Sequence, residues 1–290
     1  MNNHRGQGGG PPKRLKASQQ QDLFHYLHQH QQAHWSSAQL GTLLQERYGV
    51  VYSKGYLAVV LRALGLKYYK PQPQDPHRSP EAEAALTQRL KATFAALQQM
   101  GYALEEVAFG FADESSQQTY ANSARFWSLG YAPQVVNTSR NRVNTFGFYA
   151  LQGNNYCQQL SSSSAESFLE VLPKLRAVNQ TFKAIVLFWD NLPAHKVSKV
   201  EQLARQHQIF LVYNMPYAPD LNPIEKIWKQ IKRVISVKGW IQSREQLKGI
   251  VEDTFYQLAS QFSFANAWIE RFLTKVLPGN STICRCKNFP

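Results

Sequence analysis

Residues 184–191 read AIVLFWDN: six apolar residues, then a carboxylate and a carboxamide. An apolar run of this length, rich in branched and aromatic side chains, predicts a strand buried on both faces, with Asp190 at its end. Upstream, residues 107–114 read VAFGFADE, a second buried strand over 107–112 that Asp113 closes. Further strand-like runs fall at 119–128, 145–151 and 209–214. Helical periodicity occupies 81–100, 165–178, 196–207, 223–235, 244–259 and 264–276. Early strands followed by alternating helices and strands predict an α/β domain with a mixed sheet.

If the strands before Asp113 and Asp190 are neighbours, both carboxylates emerge at one sheet edge. Glu225 lies on the first turn of a helix, directly after PYAPDLNPI at 216–224, and that helix can bring it to the same place. Gathered carboxylates repel each other unless cations lie between them. Oxygen-only donors suit Mg²⁺ or Mn²⁺. Two such ions about 4 Å apart can assist both the attacking and the leaving oxygen of a phosphoryl displacement. Singly, each acid has a structural reading. An Asp after a strand starts turns, and Glu225 would close a capping box with Asn222 as N-cap and Pro223 at the first helical position. The three acids point to chemistry only as a set.

The charge balance, 32 Lys and Arg against 19 Asp and Glu, gives a net +13, which suits a polyanion such as double-stranded DNA. With 43% hydrophobic residues the chain can bury a core. The apolar runs are too short to span a bilayer, and the N-terminus lacks the apolar stretch of a secretory signal. These features predict a cytoplasmic, nucleoid-associated protein with no membrane role. Cys157, Cys284 and Cys286 form no disulfide framework or zinc set and are read as free thiols.

Residues 1–17 form a Gly-rich basic arm, and Pro71, Pro73, Pro76 and Pro80 mark a linker over 71–80. Between them, 18–70 is predicted to be an all-α winged helix-turn-helix domain. A helix over 18–30 precedes two short helices. The first carries a Ser36/Gln39 capping box and stops at Gly49; the second starts at Ser53 and stops at Gly65. Lys54, Tyr56 and Arg62 lie off the apolar stripe of the second helix, and Lys67 and Lys70 fall in a basic, aromatic follow-on that would form a wing.

Asp113-Glu114-Ser115, Asp190-Asn191 with His195, and the run from Pro216 through Asp220, Leu221, Asn222, Pro223 and Ile224 to Glu225 together resemble the Asp-Asp-Glu transposases of bacterial insertion sequences. More narrowly, they resemble the IS six-thirty branch of the mariner superfamily, including the 34 residues between Asp190 and Glu225. The resemblance covers about 14–238. It implies a ribonuclease-H-like catalytic domain over 81–290, with Asp113, Asp190 and Glu225 as metal ligands. It also implies strand cleavage at transposon ends, attack of the freed 3′-hydroxyl on target DNA, a preference for TA targets, and action as a homodimer or larger synaptic complex. Many relatives carry a further helix-turn-helix ahead of this one, and the chain is expected to begin after it.

Around this set, Lys229, Lys232 and Arg233, with Lys226, lie off the apolar stripe of the helix carrying Glu225 and can hold phosphates; Arg140 and Arg142 are further phosphate candidates. His195 would position water or DNA, or serve as a structural hydrogen-bonding residue. Asn191 would orient Asp190 or cap the next helix. Trp127, Trp189, Trp228, Trp240 and Trp268 are read as core. Two other readings share these residues: a DNA-binding transposase remnant or repressor without catalysis, and a metal-dependent nuclease that never joins strands.

Overall fold

The structure is a computed structural model that describes residues 15–30, 35–68, 76–119, 137–162 and 164–277. The chain divides into two compact units, Met1–Pro73 and Gln74–Pro290. Among the described residues no helix is long and apolar enough to cross a membrane.

The first unit contains helices α1 (Ala17–Gln29), α2 (Ser37–Tyr48) and α3 (Lys54–Ala63). Ser36 accepts from the Gln39 amide, and Gln39 returns a bond to the Ser36 amide, closing the predicted capping box. Gly49 ends α2 in the left-handed region at φ 63°, a conformation glycine adopts without a Cβ clash. Leu23, Leu40, Leu44, Leu57 and Leu61 meet in a small buried cluster. On α3, Lys54, Tyr56 and Arg62 are exposed, as is Lys67 beyond it. Residues 66–68 carry no regular structure, and the rest of the predicted wing, with Lys70, lies outside the described residues.

The second unit is built on a five-stranded mixed sheet. Helix α4 (Ala82–Gln99) leads to β1 (Val107–Gln118), β2 (Arg142–Gln152) and β3 (Tyr156–Leu160). Then follow α5 (Ala165–Val178), β4 (Ala184–Trp189), α6 (Ser198–Gln206), β5 (Ile209–Tyr213), α7 (Ile224–Val237) and α8 (Arg244–Ala259). The spatial order is β3-β2-β1-β4-β5. The first three strands pair antiparallel, whereas β4 and β5 join β1 in parallel.

Because strand side chains alternate between faces, each buried strand feeds two cores. Phe109, Phe111, Val186 and Phe188 pack with α4, α7 and α8; Ala108, Ala112, Leu187 and Trp189 pack with residues of α5 and α6. Each large apolar side chain fully buried this way contributes about 1.5–3 kcal/mol.

The structure departs from the sequence reading in several places. β1 does not end before Asp113. It runs on through the polar residues to Gln118, because β2 pairs with it as far as Gln118 opposite Arg142. Beyond Thr119, the predicted strand at 119–128 lies outside the described residues, as do Trp127, Cys284 and Cys286. β3 follows a tight turn in which Gly153 takes φ 108°. The helix expected at 264–276 is present as a continuous helical run over 266–276, with a π-helical turn over Ile269–Leu273. Trp240 is 56% exposed and is no core residue, since it falls between α7 and α8 rather than on a buried stripe.

Gly147 sits opposite Asp113 on β2, and a Cβ there would lie 2.7 Å from a Phe255 ring carbon and 2.8 Å from the Trp228 ring. Both rings are buried and cannot step aside cheaply. Gly147→Ala is therefore expected to cost about 1–3 kcal/mol by overpacking, read as a lower urea midpoint at unchanged slope.

Candidate active site

Register brings the first two acids together. β1 and β4 pair in parallel with Phe111 opposite Phe188, so Asp113 and Asp190 each stand two residues further along. By alternation both continue the face that carries Phe111 and Phe188, the face on which α7 packs.

Helix α7 is held there by Ile224, Ile227, Trp228, Ile231 and Ile235, all buried. The segment before it is pinned at several points. Asn214 donates from Nδ2 to the Ala218 carbonyl at 2.7 Å, and its own amide donates to the Trp189 carbonyl at 2.6 Å. Leu221 is buried, and Asp220 pairs with Arg78 at 2.9 Å. Asn222 does not cap α7. Its Nδ2 donates to the carbonyl of Ala112 at 3.0 Å, tying the start of the Glu225 helix to the strand of Asp113. No side chain caps α7, so the capping box expected of Asn222 and Glu225 is absent. The carboxamide is claimed by the strand because Asn222 is buried against it.

The electrostatics record the convergence. Burial raises the Asp113 carboxyl well above the ordinary carboxylate range, and the charges of Glu225, Glu114 and Asp190 push it the same way. Glu225 is exposed at its surface, yet protein atoms around its head group desolvate it enough to raise it too. Lys232 partly offsets that rise and Asp190 adds to it. Among the described residues, neither Asp113 nor Glu225 forms an ion pair with a Lys or Arg.

His195, fully buried, lies on the short turn Pro193–Lys196 after β4. Its Nε2 is 3.0 Å from Glu114 Oε2, and its Nδ1 is 2.5 Å from Asp190 Oδ1. Nδ1 also meets the Asp190 main-chain carbonyl at 3.3 Å, and Asp190 Oδ1 is left buried without a hydrogen-bonded donor. Burial opposes the imidazolium, but Asp190 and Glu114 together outweigh it and hold the ring at about 9. Asn191 is half-buried with its Oδ1 unbonded and caps no helix.

The donor set fits a hard divalent cation. It is all carboxylate oxygen, neither Asp113 nor Glu225 has a Lys or Arg ion-pair partner among the described residues, and one Asp190 oxygen is buried without a hydrogen-bonded donor, with the His195 ring against it. Glu114, Asp190 and His195 also lie close enough together to suggest a separate metal cluster. In that cluster each imidazole nitrogen already faces a carboxylate, which fits a hydrogen-bonded group better than a cage around an ion.

The other predicted residues divide. Lys229, Lys232 and Arg233 are exposed on α7, and Lys229 and Lys232 stand four and seven residues beyond Glu225, on the same stripe. Lys226 is instead engaged with the Phe264 carbonyl at 3.1 Å. Arg140 and Arg142 are exposed, with Arg142 Nε donating to Ser116 Oγ at 2.5 Å. The structure adds Asn214, which carries no sequence signal beyond adjacency to a motif, and gives a place to Glu114, which the sequence offers only as a member of the Asp113-Glu114-Ser115 motif with no role of its own.

Comparison with known proteins agrees with this geometry. Residues 109–248 match the family described as DDE superfamily endonuclease, and residues 31–87 match the winged helix-turn-helix family. Residues 109–248 are thus similar to DDE superfamily endonucleases, and the further matches support a relationship with IS630 and mariner transposases. The chain is similar to the insertion element IS630 uncharacterized 39 kDa protein of Shigella sonnei, 24% identical over 226 residues. That alignment takes in 75% of this chain and 63% of the relative's length. Among solved structures, the mariner Mos1 paired-end complex with Mg aligns at a TM-score of 0.61 with 15% identity, covering 100% of this chain and 84% of that one. The Mos1 strand transfer complex aligns at 0.55 with 16% identity, covering 94% and 81%. At such identity the likeness establishes the DDE fold: a mixed-sheet, ribonuclease-H-like catalytic domain together with a winged helix-turn-helix.

Proposed function

We propose that the chain is a transposase that cuts DNA at the ends of its element and joins the freed 3′-hydroxyl to target DNA. The observation that carries this reading is the approach of Asp113, Asp190 and Glu225 from β1, the end of β4 and the start of α7: burial raises the Asp113 carboxyl and the charges of Glu225 and Asp190 add to that rise, while burial and the charge of Asp190 raise Glu225. These three side chains would hold Mg²⁺ or Mn²⁺, two ions in this reading. Bound divalent ions supply Lewis-acid stabilisation to an in-line phosphoryl displacement. The protein's part is to fix the ligand oxygens: the sheet holds Asp113 and Asp190 in register, and Asn222 holds the α7 start against β1. The related Mos1 complexes were solved with Mg and with Mn, which supports the metal class.

DNA would be held in two ways. Lys54, Tyr56, Arg62 and Lys67 would meet it through the helix-turn-helix, and Lys229, Lys232, Arg233, Arg140 and Arg142 would hold phosphates beside the acids. A second copy of the chain would complete a synaptic complex with two ends. Replacing Lys229, Lys232 and Arg233 together by Ala is expected to make log affinity fall less steeply with log salt, by about 0.9 in slope for each phosphate no longer neutralised. Fluorescence anisotropy at several salt concentrations reads that slope, and an unchanged slope would remove these residues from the interface.

The deciding assay incubates the full chain with DNA bearing its own flanking repeats and a target plasmid, with Mg²⁺, Mn²⁺ or EDTA. Metal-dependent cleavage and a joined product are expected. Cleavage with no joined product would make it a nuclease; DNA binding without cleavage under any condition would leave only a binding protein.

A further inference from the structure

Glu114 follows Asp113 on β1 and so faces the opposite side of the sheet, away from α7. There its carboxylate, 8% exposed, accepts from Trp189 Nε1 at 2.9 Å and faces His195 Nε2 at 3.0 Å. The His195 ring has little freedom. It stacks on Trp189 with centroids 3.7 Å apart, meets Phe168 edge-on at 4.7 Å, and its backbone carbonyl accepts from the Tyr213 hydroxyl at 2.9 Å. Its remaining nitrogen meets the Asp190 main-chain carbonyl at 3.3 Å and rests against Asp190 Oδ1 at 2.5 Å. A continuous buried path therefore runs from Trp189 through Glu114 and His195 to the carboxylate of Asp190.

We infer that Glu114 is a positioning residue that, through His195, sets the orientation of the Asp190 carboxylate from the far side of the sheet. The inference rests on the reading of Asp190 as a ligand to a divalent ion.

Asp190 needs such support more than Asp113 does. Asp113 is embedded in β1 and paired across to Gly147, whereas Asp190 stands just past the last residue of β4, where its side chain is partly exposed. A carboxylate at a strand end samples several rotamers, and only some direct it toward Asp113 and Glu225. The fixed imidazole against one oxygen narrows that choice. Glu114 in turn holds the imidazole: without it, Nε2 would be a buried polar atom with no partner, and the ring could turn over. Partners that orient a ligand in this way contribute about 10- to 100-fold to metal affinity in many sites.

The test titrates Mn²⁺ calorimetrically into the full chain as wild type, Glu114→Gln and Asp190→Asn, with thermal melts alongside. Glu114→Gln keeps the shape of the side chain and one acceptor for the indole, but not the charge that faces His195. It is expected to melt cooperatively near wild type and to bind Mn²⁺ about 10-fold more weakly. Its cleavage rate should return toward wild type at saturating Mn²⁺, because Glu114 touches no reacting atom. Asp190→Asn should lose the binding. Mn²⁺ affinity of Glu114→Gln within twofold of wild type overturns the inference while leaving the ligand reading intact. Unchanged binding by Asp190→Asn removes the ligand reading itself. Should Glu114→Gln fail to fold, Glu114→Asp, whose shorter side chain draws the carboxylate back from His195, takes its place; wild-type Mn²⁺ affinity in that folded variant overturns the inference equally.

Discussion

Asp113→Asn is expected to abolish cleavage and, without metal, to make the protein more stable. The side chain is buried on a sheet face that also receives the fields of Glu225 and Asp190, and its carboxyl is raised well above the ordinary range. In the unfolded chain the same carboxyl ionises freely near its usual value of about 3.9. A group whose folded pKa is raised holds its proton more tightly when folded, so its penalty is absent at low pH and grows as pH rises past the unfolded value. Asn removes the charge and keeps the shape. In EDTA at pH 7.5 the variant should gain about 1–2 kcal/mol, and the gain should vanish near pH 3.5, where the wild-type carboxyl is protonated in both states. His195, held at about 9, also makes the wild type less stable as pH rises, but it is present in both proteins and cancels in the comparison. Mn²⁺ should raise the wild-type melting temperature and leave the variant nearly unmoved, since only a folded state that binds the ion is stabilised by it. A variant less stable than wild type in EDTA at pH 7.5 would show that Asp113 is structural.

This opposition between stability and function explains which features are legible in the sequence. Helices α5 and α8 and strand β4 follow strong apolar patterns with clear punctuation, and their observed limits agree with the reading. Ser36, Gly49 and Ser53 mark helix ends through local chemistry that needs no tertiary partner. The continuation of β1 past Asp113 is different. Glu114 to Gln118 have no strand-like composition and are strand because β2 lies beside them, a long-range fact. β3 is hidden for a similar reason, its YCQQL run showing little apolar alternation. Asn222 reads as a helix cap because Asn before Pro at a helix start usually is one. Only the proximity of the Ala112 carbonyl redirects it. Glu114 is invisible as a functional candidate in the sequence because alternation sends it to the face opposite Asp113, where its meaning depends on a histidine 81 positions away.

That redirection of Asn222 sharpens the outcome expected for Glu225→Gln. Had Glu225 closed a capping box, its loss would mix helix stability with chemistry; with no side-chain cap on α7, the two separate. Gln preserves length and hydrogen-bonding capacity but offers a divalent ion a neutral oxygen in place of an anionic one. Since Glu225 is exposed at its surface, little packing changes. Removing its raised carboxyl should lift the melting temperature without metal by no more than about 2 °C, a gain below 1 kcal/mol for a chain of this size. Affinity for DNA should hold or rise, because one negative charge leaves a stripe shared with Lys229 and Lys232. Cleavage should fall on the order of 10³-fold, the equivalent of about 4 kcal/mol of lost transition-state stabilisation. The comparison with Asp113→Asn then discriminates between the two acids: both variants lose cleavage, but the gain in stability without metal should be larger for the buried Asp113. If Glu225→Gln binds DNA normally and cuts within tenfold of wild type, the third ligand must be sought elsewhere on α7 or in another element, and the convergence of the three carboxylates no longer supports a transposase.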